Sequence, residues 1–186
     1  MKKIILASKS PRRSQLLELA GIPFEIRTKE IEEIYPDTLA VEEVAPFLAK
    51  LKALAMIDTL QDGEVILTAD SVVIHEGIIY GKPKDFDDAK ATLQKLSGSV
   101  HTVITGVCMI SKEKEEVFAG VSDVYFDELT DEEIEYYINT YEPYDKAGSY
   151  GIQEWVGLCK INKIEGTFPN IMGLPVDLVY KHWQRF

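Results

Sequence analysis

The chain begins with a strand-to-helix junction, LASKSPRR, at residues 6–13. The apolar residues at its start predict a buried strand. Pro11 suits the first position of a helix, where its missing N–H would have no intrahelical partner. Arg12 and Arg13 then fall in the first helical turn, although the helix macrodipole favours anions there. Free amides, hydroxyls and guanidinium groups together describe a phosphate-binding turn. The alternative is a pair of surface arginines on an amphipathic helix.

The bulk composition is that of an ordinary globular protein. Of the 186 residues, 46% are hydrophobic and 27% are charged, and the formal net charge is −11. A chain of this size predicts one domain over residues 1–186, with room for two lobes. The negative charge argues against duplex nucleic acid as a partner, because surfaces that bind it are rich in lysine and arginine. A small phosphorylated ligand needs only a local basic pocket.

Cysteine usage and hydropathy indicate the compartment. Cys108 and Cys159 both fall in apolar, strand-like segments, so we expect two buried thiols in a reducing environment. The N-terminus does not have the pattern of a signal peptide. No run of residues approaches the ~18 apolar residues of a membrane span. We therefore expect a soluble cytoplasmic protein that does not bind membranes.

Strand-like and helix-like segments alternate along the chain. The predicted strands cover residues 3–7, 24–28, 65–69, 100–110, 117–126 and 155–164, with a hairpin at 72–80. The predicted helices cover residues 11–20, 41–60, 85–96 and 130–140, and Pro175 opens a last one. This order predicts an α/β fold with a mixed sheet.

Asp70 stands where a ligand would be expected. It follows the apolar strand 65–69 directly, and ligands bind at the carboxyl ends of strands in open α/β sheets. A carboxylate there would hold a divalent cation or take a proton from water. The alternative is a turn in which Asp70 caps the end of the strand.

Further charged residues recur at element ends, which a fold stabilised by burial alone would avoid. The basic set is Arg12, Arg13, Lys52 and Lys82, and the acidic set is Glu33 and Asp70. Taken singly, Glu33 fits a solvated acidic loop, Lys52 an exposed helix face and Lys82 a simple turn. Phosphoryl chemistry needs both sets, because cations stabilise phosphate oxygens and carboxylates bind metal or activate water.

The segment EPYDKAGSYGIQ, residues 142–153, combines glycine, tyrosine and charge between a predicted helix and a predicted strand. Loops of this kind carry function more often than regular elements do. Gln153 at its end could offer both a donor and an acceptor to the edge of a nucleobase. The alternative is an ordered structural loop.

In residue type, order and spacing, these blocks resemble the Maf family. The matching blocks are SKSPRR at 8–13, EE at 32–33, LAKLKA at 48–53, ADSVV at 69–73, GKP at 81–83, TGV at 105–107, residues 142–153 and NIMGLP at 170–175. The resemblance covers essentially the whole chain. It implies an elongated mixed β-sheet with flanking helices and two lobes around a central cleft, a fold related to that of the inosine triphosphate pyrophosphatases.

The resemblance also implies an activity. Such enzymes cleave nucleoside triphosphates between the α- and β-phosphates with a divalent cation, Mg²⁺ or Mn²⁺. The chain resembles the branch acting on dTTP and UTP, because that branch has the arginine pair, a hydroxyl after Asp70 and the sequence YGIQ at 150–153. The branch acting on 7-methyl-GTP typically has an aromatic residue before the arginine and a glutamine after the aspartate. A homodimer is suggested by analogy with the family alone.

Position by position, the resemblance implies a role for each site residue. Asp70 would accept the proton, and Asp70 and Glu33 would hold the cation. The phosphate-facing set would be Ser8, Ser10, Arg13, Lys52 and Lys82, and the set that selects the base would be Arg12, Ser71 and Gln153. Two positions depart from the family pattern, since threonine is more usual than Ser71 and a small residue more usual than Glu154.

Two other functions remain open at this point. One keeps the chemistry but changes the substrate to a modified nucleotide, either a modified pyrimidine triphosphate or 7-methyl-GTP. The other is a regulatory protein that restrains cell division and septum formation by binding a partner, with the nucleotide as a signal. Pyrophosphate release across a nucleotide panel separates the first from dTTP/UTP hydrolysis. A cellular effect that survives loss of hydrolysis would favour the second.

Overall fold

The computed structural model describes residues 3–186. Its strands are β1 (Lys3–Leu6), β2 (Phe24–Ile26), β3 (Glu64–His75), β4 (Ile78–Tyr80), β5 (Val100–Ile110), β6 (Glu115–Phe126) and β7 (Ile161–Glu165). Its helices are α1 (Pro11–Leu19), α2 (Val44–Leu54), α3 (Phe86–Leu96), α4 (Asp131–Tyr141), α5 (Trp155–Cys159), α6 (Phe168–Met172) and α7 (Val176–Trp183). Within residues 3–186, no helix is both long and apolar enough to cross a membrane.

The seven strands form one mixed sheet. Its order is β2-β1-β3-β5-β6-β7, and β4 pairs with β3 outside this path. Strand β1 runs parallel to β2 and β3, whereas β4 is antiparallel to β3 and β7 is antiparallel to β6. The prediction of an α/β fold with a mixed sheet and flanking helices is therefore confirmed.

The described chain forms two compact units. The first unit comprises residues 3–71, 105–120 and 173–186, and the second comprises residues 72–104 and 121–172. Strand β3 belongs to the first unit as far as Ser71 and to the second from Val72. The predicted cleft between two lobes stays a prediction.

In the first unit, α2 packs on the face of the sheet. The buried cluster beneath it draws on β1, α2, β3 and β5 and consists of Ile5, Ala49, Ala53, Met56, Leu60, Ile66, Cys108 and Ile110. Burial raises the pKa of the Cys108 thiol to about 12, so this cysteine is the inert core residue that its apolar segment predicts.

Two features set how closely α2 approaches the sheet. A Cβ atom at Gly106 of β5 would lie 2.2 Å from the backbone nitrogen of Pro46 and 2.3 Å from the carbonyl carbon of Ala45. Only glycine leaves room for that contact. The buried hydroxyl of Thr68 on β3 also donates a hydrogen bond of 2.7 Å to the carbonyl oxygen of Ala49. The helix backbone is thus seated directly on two neighbouring strands.

Two helices of the second unit, α3 and α4, begin at side-chain caps. The Asp85 carboxylate accepts a hydrogen bond of 2.9 Å from the backbone N–H of Asp88 at the start of α3. Thr130 and Glu133 form a reciprocal capping box at the start of α4. Both helices bury their apolar faces in a cluster that includes Leu93, Leu96, Ile134, Tyr137 and Ile138.

Two strand predictions are wrong, each for its own physical reason. Residues 155–159 form the short helix α5, and the strand covers only Ile161–Glu165, because a short apolar run does not distinguish a helix from a strand. Cys159 is consequently exposed, as is the neighbouring Leu158. Asp70 does not end a strand, since the β-branched residues after it continue β3 as far as His75. An Asx turn that caps the strand is therefore excluded.

The helix predicted over residues 41–60 is shorter than its apolar spacing suggests. Helix α2 covers Val44–Leu54, with single 3₁₀ turns at Val41–Glu43 and Ile57–Thr59 on either side. These turns continue the helical spacing of apolar residues without extending the α-helix. Lys52 lies in the last turn of α2, where a cation interacts favourably with the helix dipole.

Substitution of Gly106 tests the close packing of α2 on the sheet. We expect Gly106→Ala to lower the free energy of unfolding by about 3 kcal/mol, because the added methyl group overpacks rigid helix backbone. Gly81→Ala is the matched control, since a Cβ atom at Gly81 meets no atom within 4 Å and its φ is not in the left-handed region. Urea unfolding of both variants measures the difference. Equal stability of the two variants would contradict the close approach.

Candidate active site

The junction between β1 and α1 turns around the hydroxyl of Ser8. This buried oxygen accepts a hydrogen bond of 3.1 Å from the backbone N–H of Ser10 and one of 3.4 Å from the guanidinium of Arg13. Ser10 occupies the N-cap position, but its side chain does not cap the first amides of α1 within the described chain. These amides and the Arg13 guanidinium, which contacts Ser8, therefore lie at the start of the helix, as a phosphate-binding turn requires.

Arg13 is held from several sides. Its Nε donates a hydrogen bond of 2.8 Å to the carbonyl oxygen of Gly173, and its Nη2 donates one of 3.3 Å to the hydroxyl of Ser71. Burial lowers the pKa of Arg13, and the nearby Asp70 carboxylate opposes that change. Arg12, which is half-buried, lowers the pKa of Arg13 further through charge repulsion. The side chain of Arg13 is fixed within the first unit and is not a freely exposed surface arginine.

Lys52 joins the two predicted carboxylates. Its Nζ lies 2.5 Å from Oδ1 of Asp70 and 2.8 Å from Oε1 of Glu33. The side chains of Lys52 and Asp70 are only 18% and 13% exposed, whereas that of Glu33 is 52% exposed. Lys52 is therefore not the exposed helix lysine that the local sequence favours. Two carboxylates around one largely buried cation are not needed to stabilise the fold, because apolar residues would stabilise it as well.

The carboxylates of Glu33 and Asp70 fit a divalent cation such as Mg²⁺ that takes its other ligands from water and substrate. Among the described residues, no group of three or more histidine, cysteine, aspartate or glutamate side chains is arranged to hold a metal. Mg²⁺ is commonly bound through one or two carboxylates, with substrate phosphates and water as the other ligands. Two carboxylates that already face one positively charged nitrogen suit such an ion, and the rest of its coordination would have to come from a ligand.

The predicted site residues are divided between the two units. Ser8, Ser10, Arg12, Arg13, Glu33, Lys52, Asp70 and Ser71 belong to the first unit, whose contacts connect most of them. Lys82 and Gln153 belong to the second unit. Lys82 is exposed just after β4, beside Gly81, whose carbonyl oxygen accepts a hydrogen bond of 3.1 Å from the N–H of Gly148. Gln153 is exposed on the turn before α5.

An open groove of about 390 Å³ lies elsewhere in the first unit. It is lined by Leu39, Glu43, Pro46, Phe47, Lys50, Glu115 and Val117. Lys50 pairs with Glu115 at 2.6 Å, so the groove's lysine is already neutralised by a neighbour. None of the predicted site residues lines this groove, and its surplus of acidic residues does not suit a phosphate.

Comparison with known proteins now decides the family. A family model described as Maf-like protein matches residues 3–186. The chain belongs to the Maf family. A protein of Phocaeicola vulgatus named dTTP/UTP pyrophosphatase is 51% identical over 179 residues, which cover 96% of this chain and 93% of the relative. A protein of Porphyromonas gingivalis with the same name is 48% identical over 187 residues, which cover 99% of this chain and 94% of the relative.

Solved structures that align with this Maf chain are more distant. A Ham1 protein from Staphylococcus aureus aligns with a TM-score of 0.45 and 16% identity, over 67% of this chain and 72% of that chain. A nucleoside-triphosphatase, dITP/XTP pyrophosphatase, from Mycobacterium abscessus aligns with a TM-score of 0.41 and 19% identity, over 67% of this chain and 74% of that chain.

Thr105 is a residue at the candidate site to which the sequence assigns no role. It is fully buried on β5, and its hydroxyl lies 2.8 Å from that of Ser71. Ser71 in turn accepts the hydrogen bond from Arg13, so Thr105 restricts the orientation of the hydroxyl that Arg13 contacts. The only signal in the sequence is a polar residue inside the apolar run of β5. Such a residue must find a partner when it is buried.

A double-mutant cycle tests the link between Ser71 and Thr105. We expect Thr105→Val and Ser71→Ala to show a coupling of about 1 kcal/mol in the free energy of unfolding, because each removes one side of the same hydrogen bond. In the control cycle, Thr59→Val replaces Thr105→Val, since the Thr59 hydroxyl donates instead to the carbonyl oxygen of Met56. Additive effects in the first cycle would show that the two hydroxyls do not interact.

Proposed function

We propose that the chain is a nucleoside triphosphate pyrophosphatase that hydrolyses dTTP and UTP, and modified pyrimidine triphosphates, to the monophosphate and pyrophosphate. The observation that carries the proposal is the ammonium of Lys52 between Asp70 and Glu33, within the unit that also holds Arg13. Such a set offers carboxylates to water or metal and cations to phosphate oxygens. The names of relatives that are about 50% identical over nearly the whole chain support the same activity.

Asp70 is the proposed general base. Its carboxylate would take a proton from the water that attacks the α-phosphorus, and the bond from that phosphorus to the bridging oxygen would break as pyrophosphate leaves. The support is its position, since Asp70 is the least exposed carboxylate of the acidic set and Lys52 holds one of its oxygens. The same pair leaves the second carboxylate oxygen as the atom to receive the proton.

The divalent cation, Mg²⁺ or Mn²⁺, would neutralise charge on the triphosphate when it is bound. Glu33 and Asp70 are its proposed protein ligands. Because both carboxylates already contact the Lys52 ammonium, they need no large rearrangement to face a second cation. The partly exposed Glu33 leaves room on its side for ligands that come from water and from the nucleotide.

Ser8, Ser10, Arg13, Lys52 and Lys82 are the proposed phosphate-binding groups. Hydroxyls, backbone amides and guanidinium N–H groups are all donors, and fixed donors stabilise the charge that develops on the leaving group. Removal of one such donor typically lowers kcat about 10²-fold or more. The bonds that Ser8, Ser71 and Gly173 accept from Arg13 support its part in this set, because they fix its guanidinium before any ligand binds.

Arg12, Ser71 and Gln153 are the proposed base-selecting residues. Thymine and uracil share an O4 acceptor, whereas cytosine carries an amino donor at the same position. A glutamine amide can donate to O4 and accept from the neighbouring ring N–H at once. Cytosine offers the reverse pattern at that edge, so the same amide orientation would discriminate against it.

The family match over residues 3–186 supports one functional domain that includes both units. We propose that this domain acts in the cytoplasm, where nucleoside triphosphates are found, and forms a homodimer as the family resemblance suggests. The proposed partner is the nucleotide, and neither duplex nucleic acid nor a membrane is needed for the reaction.

Replacement of Asp70 tests the mechanism. We expect Asp70→Asn to reduce pyrophosphate release from dTTP at least 10²-fold, because an amide cannot accept the proton from water. Asp58→Asn is the control, since Asp58 is exposed on a 3₁₀ turn and belongs to none of the proposed sets. Nucleotide binding and thermal unfolding of both variants would show that the fold is kept. Turnover close to that of the unmodified protein would exclude Asp70 as the base.

Replacement of Arg12 tests base selection. We expect Arg12→Ala to lower the ratio of kcat/KM for dTTP over that for CTP about tenfold, the size of one lost polar contact to the preferred base. The panel comprises dTTP, UTP, CTP, GTP and 7-methyl-GTP with Mg²⁺ and with Mn²⁺, and the exposed Arg185→Ala is the control. Equal losses on every nucleotide would instead place Arg12 among the phosphate-binding groups.

A further inference from the structure

One buried phenol holds the turn that carries Gln153. Residues 151–154 form a β-turn in which the backbone N–H of Glu154 donates to the carbonyl oxygen of Gly151 at 3.0 Å. The hydroxyl of Tyr137 accepts a hydrogen bond of 2.9 Å from the N–H of Gly151 and donates one to the Glu154 carboxylate. The first and last residues of the turn are therefore tied to one oxygen atom, and Gln153 lies between them.

Tyr137 is well suited to this task. It is fully buried on α4, and its ring stacks on that of Tyr141 with centroids 5.1 Å apart. Burial raises the pKa of Tyr137, and so does its hydrogen bond to Glu154. The phenol therefore stays protonated at neutral pH, and it acts as a donor to Glu154 and as an acceptor from Gly151.

The Glu154 carboxylate is held on its other side as well. Its Oε1 lies 3.1 Å from Nζ of Lys146, and both side chains are largely buried. A Cβ atom at Gly151 would lie 2.7 Å from the carboxyl carbon of Glu154, so only glycine lets the carboxylate fold back over the turn. These contacts lie entirely within the second unit. They fix the backbone around Gln153, whose own side chain is exposed.

We infer that Tyr137 and Glu154 are positioning residues that fix the Gln153 turn and so sharpen the choice of nucleobase. The inference rests on the proposed role of Gln153 in base selection. An amide on a rigid turn presents its donor and acceptor in one direction, and it loses little freedom when it pairs with a matching base. On a loose turn the same amide can turn toward a base with the opposite pattern, so discrimination falls.

Tyr137→Phe tests the inference, because it removes the hydroxyl and keeps the ring. We expect the preference for dTTP over CTP, as a ratio of kcat/KM, to fall about tenfold, mainly through KM for dTTP. Glu154→Gln should keep much of the preference, since its amide oxygen still accepts from Tyr137. Tyr141→Phe, which alters the stacked neighbour on the same helix, should leave the preference unchanged. Hydrogen exchange of the Gly151 amide should speed up in Tyr137→Phe alone.

The outcomes separate this inference from the proposed function. If the unmodified protein releases no pyrophosphate from any nucleotide, the proposed function and the inference both fail. If it prefers dTTP and UTP, and Tyr137→Phe keeps that preference while the Gly151 amide exchanges faster, the inference alone is overturned. If Tyr137→Phe lowers turnover of every nucleotide by the same factor, the phenol has a structural role only, and the inference is again overturned.

Discussion

The direct contact of helix α2 with the sheet is the constraint on which the candidate site depends. Gly106 lets the backbone of α2 approach β5, and the Thr68 hydroxyl fixes the helix on β3 at Ala49. Lys52 lies one helical turn beyond Ala49, and Asp70 lies two residues beyond Thr68 on the same face of the strand. The position of the helix on the sheet thus sets the 2.5 Å contact between the Lys52 ammonium and the Asp70 carboxylate. A helix held farther away would break this ion pair between the helix and the sheet.

The charged groups are poorly explained as stabilising elements. Lys52 and Asp70 are mostly buried, and desolvation of two charges offsets much of their attraction. Apolar residues of similar volume would stabilise the fold at least as well. The same reasoning applies to Arg13, whose guanidinium is hydrogen-bonded to two hydroxyls and a backbone carbonyl instead of a carboxylate. Charged side chains that do not stabilise the fold are expected at functional sites.

Much of the fold could be predicted from local signals, whereas contacts between distant residues could not. Pro11, Asp85 and Thr130 mark helix starts because their chemistry acts on the next few residues, and all three starts are confirmed. The strand predicted over residues 155–159 is a helix, since five apolar residues fit either period. Charge at element ends pointed to Asp70 and Lys52, but the pairing of Ser71 with Thr105 joins two strands and has no local signature. The same holds for Tyr137 and the turn at 151–154.

Lys52 also acts as an internal counterion, which has a consequence for the proposed metal site. Two carboxylates brought together without a counterion repel each other. Here the repulsion is already balanced by a covalently tethered ammonium between Asp70 and Glu33. If the proposed Mg²⁺ or Mn²⁺ is withdrawn, the Lys52 ammonium should therefore keep the two carboxylates together and the protein folded.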